Sequence, residues 1–259
     1  MYRTKHKYLR STDMNGILYF SSTGNSLYIA KKLKDSFGGQ IRYIPAYTGD
    51  GSEYDRIFIV TPIYSFGLPV HVLELLPRLD KQKELIVIQN YGGMSGGADA
   101  LFYRYATELG LSIKGVYKLK MPENFTVTFT VPKFYLKGVL KKADKRIDAI
   151  AEKIKRGEYP RLGRKTKEAT YLKNKSNWHI IGSRLSATDK CVRCGKCVDI
   201  CPSNNIVLTD DGIIFEDRCV ACLGCYHRCP QKAITYLGKK KKDRYINPNI
   251  DEADIGKDL

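Results

Sequence analysis

Several features that would define common classes of protein are missing from this 259-residue chain. It has no run of about 18 apolar residues, so no transmembrane helix is expected. The first 13 residues are basic and contain no apolar stretch, which argues against a signal peptide. Neither G-x4-G-K-S/T nor G-x-G-x2-G occurs, which disfavours a Walker-type NTPase and a dinucleotide-binding fold. No cysteine lies outside two short runs.

Those two cysteine runs share one spacing, C-x2-C-x2-C-x3-C-P. The first is Cys191, Cys194, Cys197 and Cys201 before Pro202, and the second is Cys219, Cys222, Cys225 and Cys229 before Pro230. The spacing resembles that of bacterial ferredoxins with two iron–sulfur clusters, in which the fourth cysteine of each run ligates the other cluster. The resemblance implies one cluster on Cys191, Cys194, Cys197 and Cys229, and a second on Cys201, Cys219, Cys222 and Cys225.

Structural zinc and disulfides are the two other uses of cysteines with such spacing. Paired C-x2-C units build zinc sites, but zinc does not explain the third C-x2 step, the C-P endings or the duplication. A disulfide framework is typical of short secreted chains, whereas this chain is long and shows no secretory signal. Cluster ligation is the favoured interpretation, and reduced thiols predict a cytoplasmic protein.

The charge of the chain is strongly positive and unevenly placed. The net charge is +17, and residues 133–175 carry 15 Lys/Arg against 5 Asp/Glu. Such a stretch can attract nucleic acid, anionic lipid or an acidic protein. No nucleic-acid-binding motif accompanies it, so nucleic acid is disfavoured. An acidic redox partner and a merely solvated surface are the two interpretations kept open.

The first half of the chain alternates between short apolar runs and amphipathic segments. Strands are predicted at 17–20, 41–44, 56–60, 84–88 and 112–119, and helices at 25–36, 70–79, 98–109 and 133–156. This alternation predicts a parallel five-stranded sheet with helices on both faces. Residues 157–185 break the pattern with proline, glycine and many Lys/Arg, and are expected to form a connector.

Six small polar residues follow the first strand and open the first helix. They are Ser21, Ser22, Thr23, Gly24, Asn25 and Ser26. Hydroxyls and free backbone N–H groups at a helix N-terminus form an anion site. Helix capping alone would need fewer such residues. The run therefore predicts a phosphate site suited to a mononucleotide.

Two further loops follow strands three and four, at the sheet edge where open α/β sheets bind ligands. Tyr64, Phe66 and Tyr91 can border or stack on a planar ring, and glycines let backbone N–H groups approach it. Either loop alone is typical of a Gly/Pro turn, but with the phosphate loop they predict a flat-ring site. Its candidate residues are Pro62, Tyr64, Ser65, Phe66, Gly67, Asn90, Tyr91, Gly92, Gly93 and Gly97.

The sequence Y-F-S-S-T-G-N-S, followed by T-P-I-Y-S-F-G-L-P, resembles the FMN domain of flavodoxins. Together with the cysteine runs and M-P-E-N-F at 121–125, it resembles the fused flavodoxin/ferredoxin proteins of the EFR1 family. The resemblance implies an α/β fold, with a flavodoxin-like doubly wound parallel five-stranded sheet followed by a small α+β ferredoxin-like domain with two 4Fe-4S clusters. It also implies that residues 21–26 hold the FMN phosphate and that residues 64–67 and 90–97 border the isoalloxazine.

The resemblance implies a division of the chain and a function. The expected parts are a basic extension at 1–13, an FMN domain at 14–157, a basic linker at 158–184, a ferredoxin domain at 185–240 and a polar tail at 241–259. FMN and two clusters in one chain imply electron transfer to and from a redox partner protein. The alternative is a flavin-dependent oxidoreductase that reduces a small substrate at FMN, with the clusters as its electron feed. No catalytic side chain is identified; His71, His179 and His227 are expected to be structural or exposed.

Overall fold

The computed structural model describes residues 14–128, 130–162, 165–239 and 244–259. The predicted basic extension at 1–13 lies outside the described residues. Within the described ranges, no helix is both long and apolar enough to cross a membrane.

Five parallel strands form the central sheet. They are β1 (Asn15–Tyr19), β2 (Gln40–Tyr43), β3 (Arg56–Pro62), β4 (Glu84–Tyr91) and β5 (Ser112–Lys120). Their spatial order is β2-β1-β3-β4-β5, and Ile17 of β1 lies between Ile41 of β2 and Phe58 of β3. This order is the flavodoxin-like doubly wound arrangement, whose direction of winding switches between β1 and β3. The predicted α/β fold is confirmed.

Helices cover both faces of the sheet, because the strands are apolar on both sides. On one face lie α1 (Asn25–Phe37) and α4 (Lys133–Lys155), and on the other lie α2 (Val70–Leu75) and α3 (Ala98–Glu108). The buried stripe of α4 is Leu140, Ala143, Ile147 and Ile154. Its opposite side, rich in lysine, therefore faces solvent.

Several elements end at residues other than those predicted. β3 and β4 continue to Pro62 and Tyr91, beyond the predicted ends at 60 and 88. Polar side chains follow the apolar run of each strand, but the parallel pairing with the neighbouring strand continues through them. The helix predicted at 70–79 ends at Leu75 and gives way to a 3-10 turn, because Pro77 has no N–H to continue the α-helical bonds.

The predicted connector at 157–185 contains two helices, α5 (Glu168–Ser176) and α6 (Trp178–Ser183). Tyr171 and Trp178 are buried against the core that α2 and α3 also cover, and the Tyr171 hydroxyl donates to the Leu68 carbonyl at 2.8 Å. The Lys/Arg content of this segment indicates a solvated linker. Two large aromatic side chains nevertheless bury enough apolar surface to hold it against the sheet.

The cysteine-containing part is a small α+β unit. Its elements are β6 (Leu185–Ala187), α7 (Lys196–Asp199), β7 (Ile206–Thr209), β8 (Gly212–Phe215), α8 (Gly224–Arg228) and β9 (Ile234–Tyr236). β6 pairs with β9 and β7 with β8, both antiparallel. Val127, from the segment after β5, is buried in its core beside Leu223 and Tyr226. The two parts of the chain therefore pack together.

The end of the chain, at 244–259, packs on the α1 side of the sheet. Ile250 and Ile255 are buried in the core shared by α1 and α4, and Leu259 exchanges two backbone hydrogen bonds with Ile41 of β2. Isolated isoleucines among polar residues give no periodic signal, so the sequence indicates only a polar tail. The predicted domain limits stay predictions: 14–157, 158–184, 185–240 and 241–259.

Candidate functional site

A cavity of about 670 Å³ opens at the carboxyl edge of the sheet, where β1, β3 and β4 end. It lies at the switch between β1 and β3, where folds of this kind bind ligands. Its volume falls within the range of cofactor sites. Thirteen of the sixteen residues predicted for phosphate or ring binding line it: Ser21, Ser22, Thr23, Asn25, Ser26, Pro62, Tyr64, Ser65, Phe66, Asn90, Tyr91, Gly92 and Gly93.

The other three predicted residues, Gly24, Gly67 and Gly97, belong to the same loops but do not line the cavity. Gly24 and Gly97 precede α1 and α3 with φ of 91° and 79°, a left-handed conformation that favours glycine. A Cβ at Gly67 would lie 2.3 Å from the Tyr171 ring. These glycines therefore serve the loop geometry and do not form the cavity wall.

Three hydroxyls of the first loop accept hydrogen bonds from the protein. Ser21 Oγ accepts from the Gly24 N–H at 3.0 Å, and Thr23 Oγ1 accepts from the Asn124 side chain at 3.0 Å. Ser26 Oγ accepts from the Asn90 side chain at 2.8 Å. A hydroxyl that accepts still has its own proton to donate. All three protons are thus available to an anion in the cavity.

Ser22, in the same loop, has a different role. Its hydroxyl donates to the Cys222 carbonyl at 2.7 Å, in a buried contact between residues 200 positions apart. Since this proton is already used, Ser22 joins the loop to the second cysteine run and is the weakest anion donor of the four hydroxyls. The sequence pattern alone does not distinguish Ser22 from its neighbours.

Asn25 ties the first loop to two other segments. Its Nδ2 donates to the Pro122 carbonyl at 3.0 Å. Its Oδ1 accepts from the Tyr245 hydroxyl at 2.6 Å and from the Asn247 side chain at 3.1 Å. The Oδ1 is saturated by these two donors and one N–H of Nδ2 is used, so Asn25 positions the loop.

We expect Asn25→Ala to lower the free energy of unfolding by about 3 kcal/mol, because it leaves three buried partners without hydrogen bonds. Urea or thermal unfolding followed by circular dichroism measures the change. Asn249→Ala, at an exposed position of the same C-terminal segment, is the matched control and should change stability by less than about 0.5 kcal/mol. Equal stability of the two variants would contradict the role assigned to Asn25.

The second loop is a tight turn held in an unusual conformation. Tyr64 and Gly67 exchange backbone hydrogen bonds at 3.0 and 2.9 Å, and the two residues between them, Ser65 and Phe66, have φ of 50° and 75°. Non-glycine residues in this region cost free energy and occur mostly where function requires them. The turn holds the Phe66 ring beside the cavity, with Lys167 Nζ 4.8 Å from the ring centre.

A further part of the cavity wall comes from α5, α6 and the residues beside them, within the segment that is predicted to be a connector. Asn174, Asn177, Trp178, Ile181 and Arg184 line the cavity there. The Trp178 ring meets the Tyr64 ring edge-on, with centres 6.1 Å apart. The only sequence signal for this wall is the pair of aromatics at 171 and 178, which are two helical turns apart.

The segment at 122–125 closes a further side of the cavity. Pro122, Glu123, Asn124 and Phe125 all line it. Glu123 Oε1 accepts the backbone N–H groups of Asn124 and Phe125, both at 2.9 Å. A Cβ at Gly92 would lie 2.5 Å from the Glu123 Cα. Glycine at 92 therefore allows the third loop to approach this segment closely.

The eight thiols surround two separate small cavities. One is lined by the first thiol set, Cys191, Cys194, Cys197 and Cys229. The other is lined by the second thiol set, Cys201, Cys219, Cys222 and Cys225. Each set takes three cysteines from one run and the fourth from the other, which is the partition that the spacing implied. Among the described residues, no three His, Cys, Asp or Glu side chains are grouped as they would be around a single metal ion.

The two runs also share an unusual backbone. Left-handed residues recur at equivalent positions: Arg193 with Ala221, Gly195 with Leu223, and Asn204 with Lys232. Backbone N–H groups point at sulfur in both halves, from Asn205 to Cys201 Sγ at 3.2 Å and from Ala233 to Cys229 Sγ at 3.3 Å. Such bonds stabilise thiolate sulfur and tune cluster potentials. The two cysteine runs, which repeat in sequence, therefore also repeat in backbone conformation and in their N–H to sulfur hydrogen bonds.

Burial keeps the inner thiols protonated in the absence of metal. It raises the pKa of the Cys222 thiol to about 12 and that of Cys225 well above its ordinary value. It also raises the pKa of Cys219 and Cys197. Metal ligation needs thiolates, so loading these sites releases protons.

The second thiol set lies beside the large cavity. Cys222, only 9% exposed, lines both the large cavity and the second thiol cavity. The first thiol set lies further out, since Cys194 is exposed and its neighbour Val192 is 61% exposed. The three sites therefore run in order from the sheet edge to the surface.

The cationic and imidazole side chains near the thiols are held by the protein. Glu252 Oε1 pairs with Lys196 at 2.5 Å and with Arg228 at 3.5 Å. Burial lowers the pKa of His227 to about 4, so its ring is neutral at neutral pH. The His227 Nε2 donates to the Asn124 carbonyl at 2.7 Å, and its Nδ1 accepts the Tyr245 N–H at 3.1 Å. His227 is therefore a buried structural link.

A family model for a 4Fe-4S dicluster domain matches residues 190–234. No curated protein matches the chain. The chain thus joins a flavodoxin-like sheet to a segment that matches a 4Fe-4S dicluster domain.

Solved structures that are similar to part of this chain include two flavodoxins and a rubredoxin oxygen:oxidoreductase. A Fusobacterium nucleatum flavodoxin bound to flavin mononucleotide is 15% identical with a TM-score of 0.41, covering 56% of this chain and 98% of its own. A two-electron reduced Megasphaera elsdenii flavodoxin is 24% identical with a TM-score of 0.36, covering 40% and 85%. A Desulfovibrio gigas rubredoxin oxygen:oxidoreductase is 16% identical with a TM-score of 0.37, covering 54% of this chain and only 37% of its own. The strand order, and not these similarities, defines the fold.

Proposed function

We propose that this chain is an electron-transfer protein that holds one FMN in the large cavity and one 4Fe-4S cluster in each thiol cavity. The observation that carries the proposal is the position of Cys222, which lines both the large cavity and the second thiol cavity. The chain would then be a fused flavodoxin/ferredoxin protein of the EFR1 family. When bound, FMN takes up one or two electrons and each cluster takes up one.

The phosphate of FMN would lie in the first loop. Ser21, Thr23 and Ser26 each accept a hydrogen bond from the protein and keep a proton for the phosphate oxygens. The N-terminus of α1, a helix of 13 residues, adds free N–H groups and the positive end of the helix dipole. This donor set needs no Lys or Arg.

The ring system of FMN would lie between the second and third loops. Tyr64, Phe66, Tyr91 and Trp178 offer aromatic surface around that part of the cavity. The Tyr64 hydroxyl is enclosed and lies beside the Ser22 hydroxyl. Burial raises the pKa of Tyr64 well above its usual value, so it stays a neutral donor. These side chains would exclude water from the ring and fix its orientation.

The thiol sets would hold the clusters in an order that leads to the surface. The second thiol set shares a wall with the large cavity, and Ser22 bonds to the Cys222 carbonyl across that boundary. The first thiol set reaches solvent at Cys194, where a redox partner protein would exchange electrons. Joining the centres in one chain replaces a collision between carriers with an intramolecular step. Eight unpaired thiols fit a reducing compartment such as the cytoplasm.

A flavin-dependent oxidoreductase is the second candidate, and the α5–α6 wall favours it. Asn174, Trp178 and Arg184 line the cavity. Neither the phosphate donors nor the aromatic ring contacts described above need Asn174 or Arg184, so these two side chains would contact a small substrate. In this case the clusters would supply electrons to the flavin. Rapid reduction of a small acceptor that depends on the presence of FMN would favour this candidate over a pure carrier.

Anaerobic purification with iron, sulfide and flavin analysis tests the proposal. We expect about eight irons and eight sulfides, with one FMN, per chain. Trp178 is the only tryptophan and lies on the cavity wall, so FMN added to flavin-free protein should quench its fluorescence. After light-driven reduction of the flavin, the clusters should become reduced at a rate independent of protein concentration.

Each half of the proposal can fail separately. Zinc in place of iron would contradict the cluster assignment and leave the FMN site standing. Failure to bind FMN, with unchanged Trp178 fluorescence, would contradict the flavin assignment and leave the clusters standing. A cluster reduction rate that rises with protein concentration would contradict internal transfer.

A further inference from the structure

The first half of α4 presents a basic, aromatic surface to solvent. We call it the α4 face, and its residues are Phe134, Tyr135, Lys137, Lys141, Lys142 and Lys145. All six side chains are exposed. They share the side of the helix opposite its buried stripe, because residues three, four and seven apart lie together on a helix. Two acidic residues border this face: Asp144, which accepts a hydrogen bond from the Tyr28 hydroxyl, and Asp148, one turn beyond Lys145.

The lysines of the α4 face are not neutralised. Within the described residues, none of Lys137, Lys141, Lys142 and Lys145 takes part in an ion pair. The second half of the same helix differs, because Lys155 pairs with Glu152 at 2.9 Å. The α4 face therefore carries four lysines that no ion pair neutralises, and such a surface attracts anionic surfaces.

The aromatic end of the face is the second observation. Phe134 is 80% exposed, the highest value among the large apolar side chains described. The Tyr135 ring beside it has Lys120 Nζ 5.7 Å from its centre. Single exposed apolar side chains are ordinary on a protein surface. Here, however, the exposed phenylalanine and tyrosine lie next to four unpaired lysines, so the face is both apolar and positively charged.

We propose that the α4 face docks the protein on a membrane surface that carries anionic lipids. Lysine side chains place their charge among anionic headgroups while their stems lie along apolar surface. Phenylalanine enters the boundary with the acyl chains, and tyrosine suits the headgroup level. The face is a convex helix surface, and none of the cavities described above includes any of its residues. That shape suits a flat bilayer better than a small ligand.

The position of the α4 face gives docking a consequence for the cavity. Lys120 ends β5, and the next residues of the chain, at 122–125, line the large cavity. Docking would bring this side of the cavity towards the bilayer, where a membrane-associated electron donor or acceptor would meet it. The docking proposal rests only on the α4 face and stands whether or not FMN binds.

Sedimentation with vesicles tests the proposal on the full chain as purified. We expect binding to vesicles of phosphatidylglycerol and phosphatidylcholine in equal amounts, weaker binding at higher salt, and none to phosphatidylcholine alone. Lys141→Gln with Lys142→Gln should weaken binding about thirtyfold, since each lysine near an anionic surface contributes about 1 kcal/mol. Phe134→Gln should weaken it about tenfold.

The matched control removes the same charge from the other face of the sheet. Lys173→Gln with Lys175→Gln, in α5, should change vesicle binding less than threefold. Equal weakening by both lysine pairs, or no binding to the anionic vesicles, would overturn the proposal. A further result would also overturn it. This is a Lys141→Gln, Lys142→Gln variant that still binds the anionic vesicles but no longer binds a short DNA duplex or polyglutamate. Only variants with the iron content and melting temperature of the wild type are compared. If Phe134→Gln folds poorly, the result for Lys141→Gln with Lys142→Gln decides the test.

Discussion

A Cys201→Ser variant is expected to lose half of its iron, keeping about four atoms of about eight per chain. Cys201 belongs to the first run by sequence, but it lines the cavity of Cys219, Cys222 and Cys225. Removing one of four ligands destabilises a cluster that the other three cannot hold alone. Iron and sulfide analysis, with electron paramagnetic resonance of the reduced protein, measures the loss.

Double variants decide which set Cys201 joins. Cys201→Ser with Cys222→Ser should retain the same four irons as either single variant, since both residues serve one cluster. Cys201→Ser with Cys197→Ser should lose nearly all iron, because it damages both clusters. If clusters were instead held within runs, the two results would be exchanged. The residual cluster in Cys201→Ser should also be the one nearer the surface, with faster exchange of electrons with small external mediators.

Ser21→Ala combined with Ser26→Ala is expected to weaken FMN binding by about 100-fold or more. Each hydroxyl would donate to a charged phosphate, and hydrogen bonds to charged groups contribute roughly 1.5–3 kcal/mol each. The loss should appear as a higher dissociation constant when FMN is titrated into flavin-free protein and Trp178 fluorescence is followed. Iron content should stay at the wild-type level, because neither serine contacts the thiol sets.

Ser22→Ala is the control from the same loop. Its hydroxyl already donates to the Cys222 carbonyl, so FMN affinity should fall less than about tenfold. The loss should appear instead in the packing between the loop and the second thiol set, measured as a lower melting temperature of the iron-loaded protein. If Ser22→Ala weakened FMN binding as much as the double variant, the assignment of donors within residues 21–26 would be wrong.

The sequence predicted those structural features that depend only on residues close together in the chain. Each strand of the sheet is an apolar run long enough to be buried on both faces, so β1 to β5 were predictable to within a few residues. The resemblance of the cysteine spacing to two-cluster ferredoxins implied which thiols surround each small cavity, including the exchange of Cys201 and Cys229 between the runs. The hydroxyl-rich loop was predictable since it needs only a strand before it and a helix after it.

Other parts of the candidate site depend on contacts between distant residues. Ser22 and Ser21 are chemically alike in sequence, and only the approach of Cys222 separates their roles. Tyr171 and Trp178 stand among lysines, and their burial depends on the sheet surface that receives them. Asn25 is satisfied by Tyr245 and Asn247, which lie more than 200 residues away in the chain. No local pattern contains these partners.

By itself, then, the sequence determined the parallel sheet, the hydroxyl-rich loop at 21–26 and the two four-thiol sets, because burial, helix capping and ligand spacing act over a few residues. Only the tertiary structure decided that the second thiol set shares the Cys222 wall with the large cavity and that α5 and α6 close it. It also decided that the end of the chain supports the first loop through Asn25. These features are contacts between segments that are distant in the chain. Such packing depends on the shapes and hydrogen-bonding groups of both segments, which no short stretch of sequence specifies.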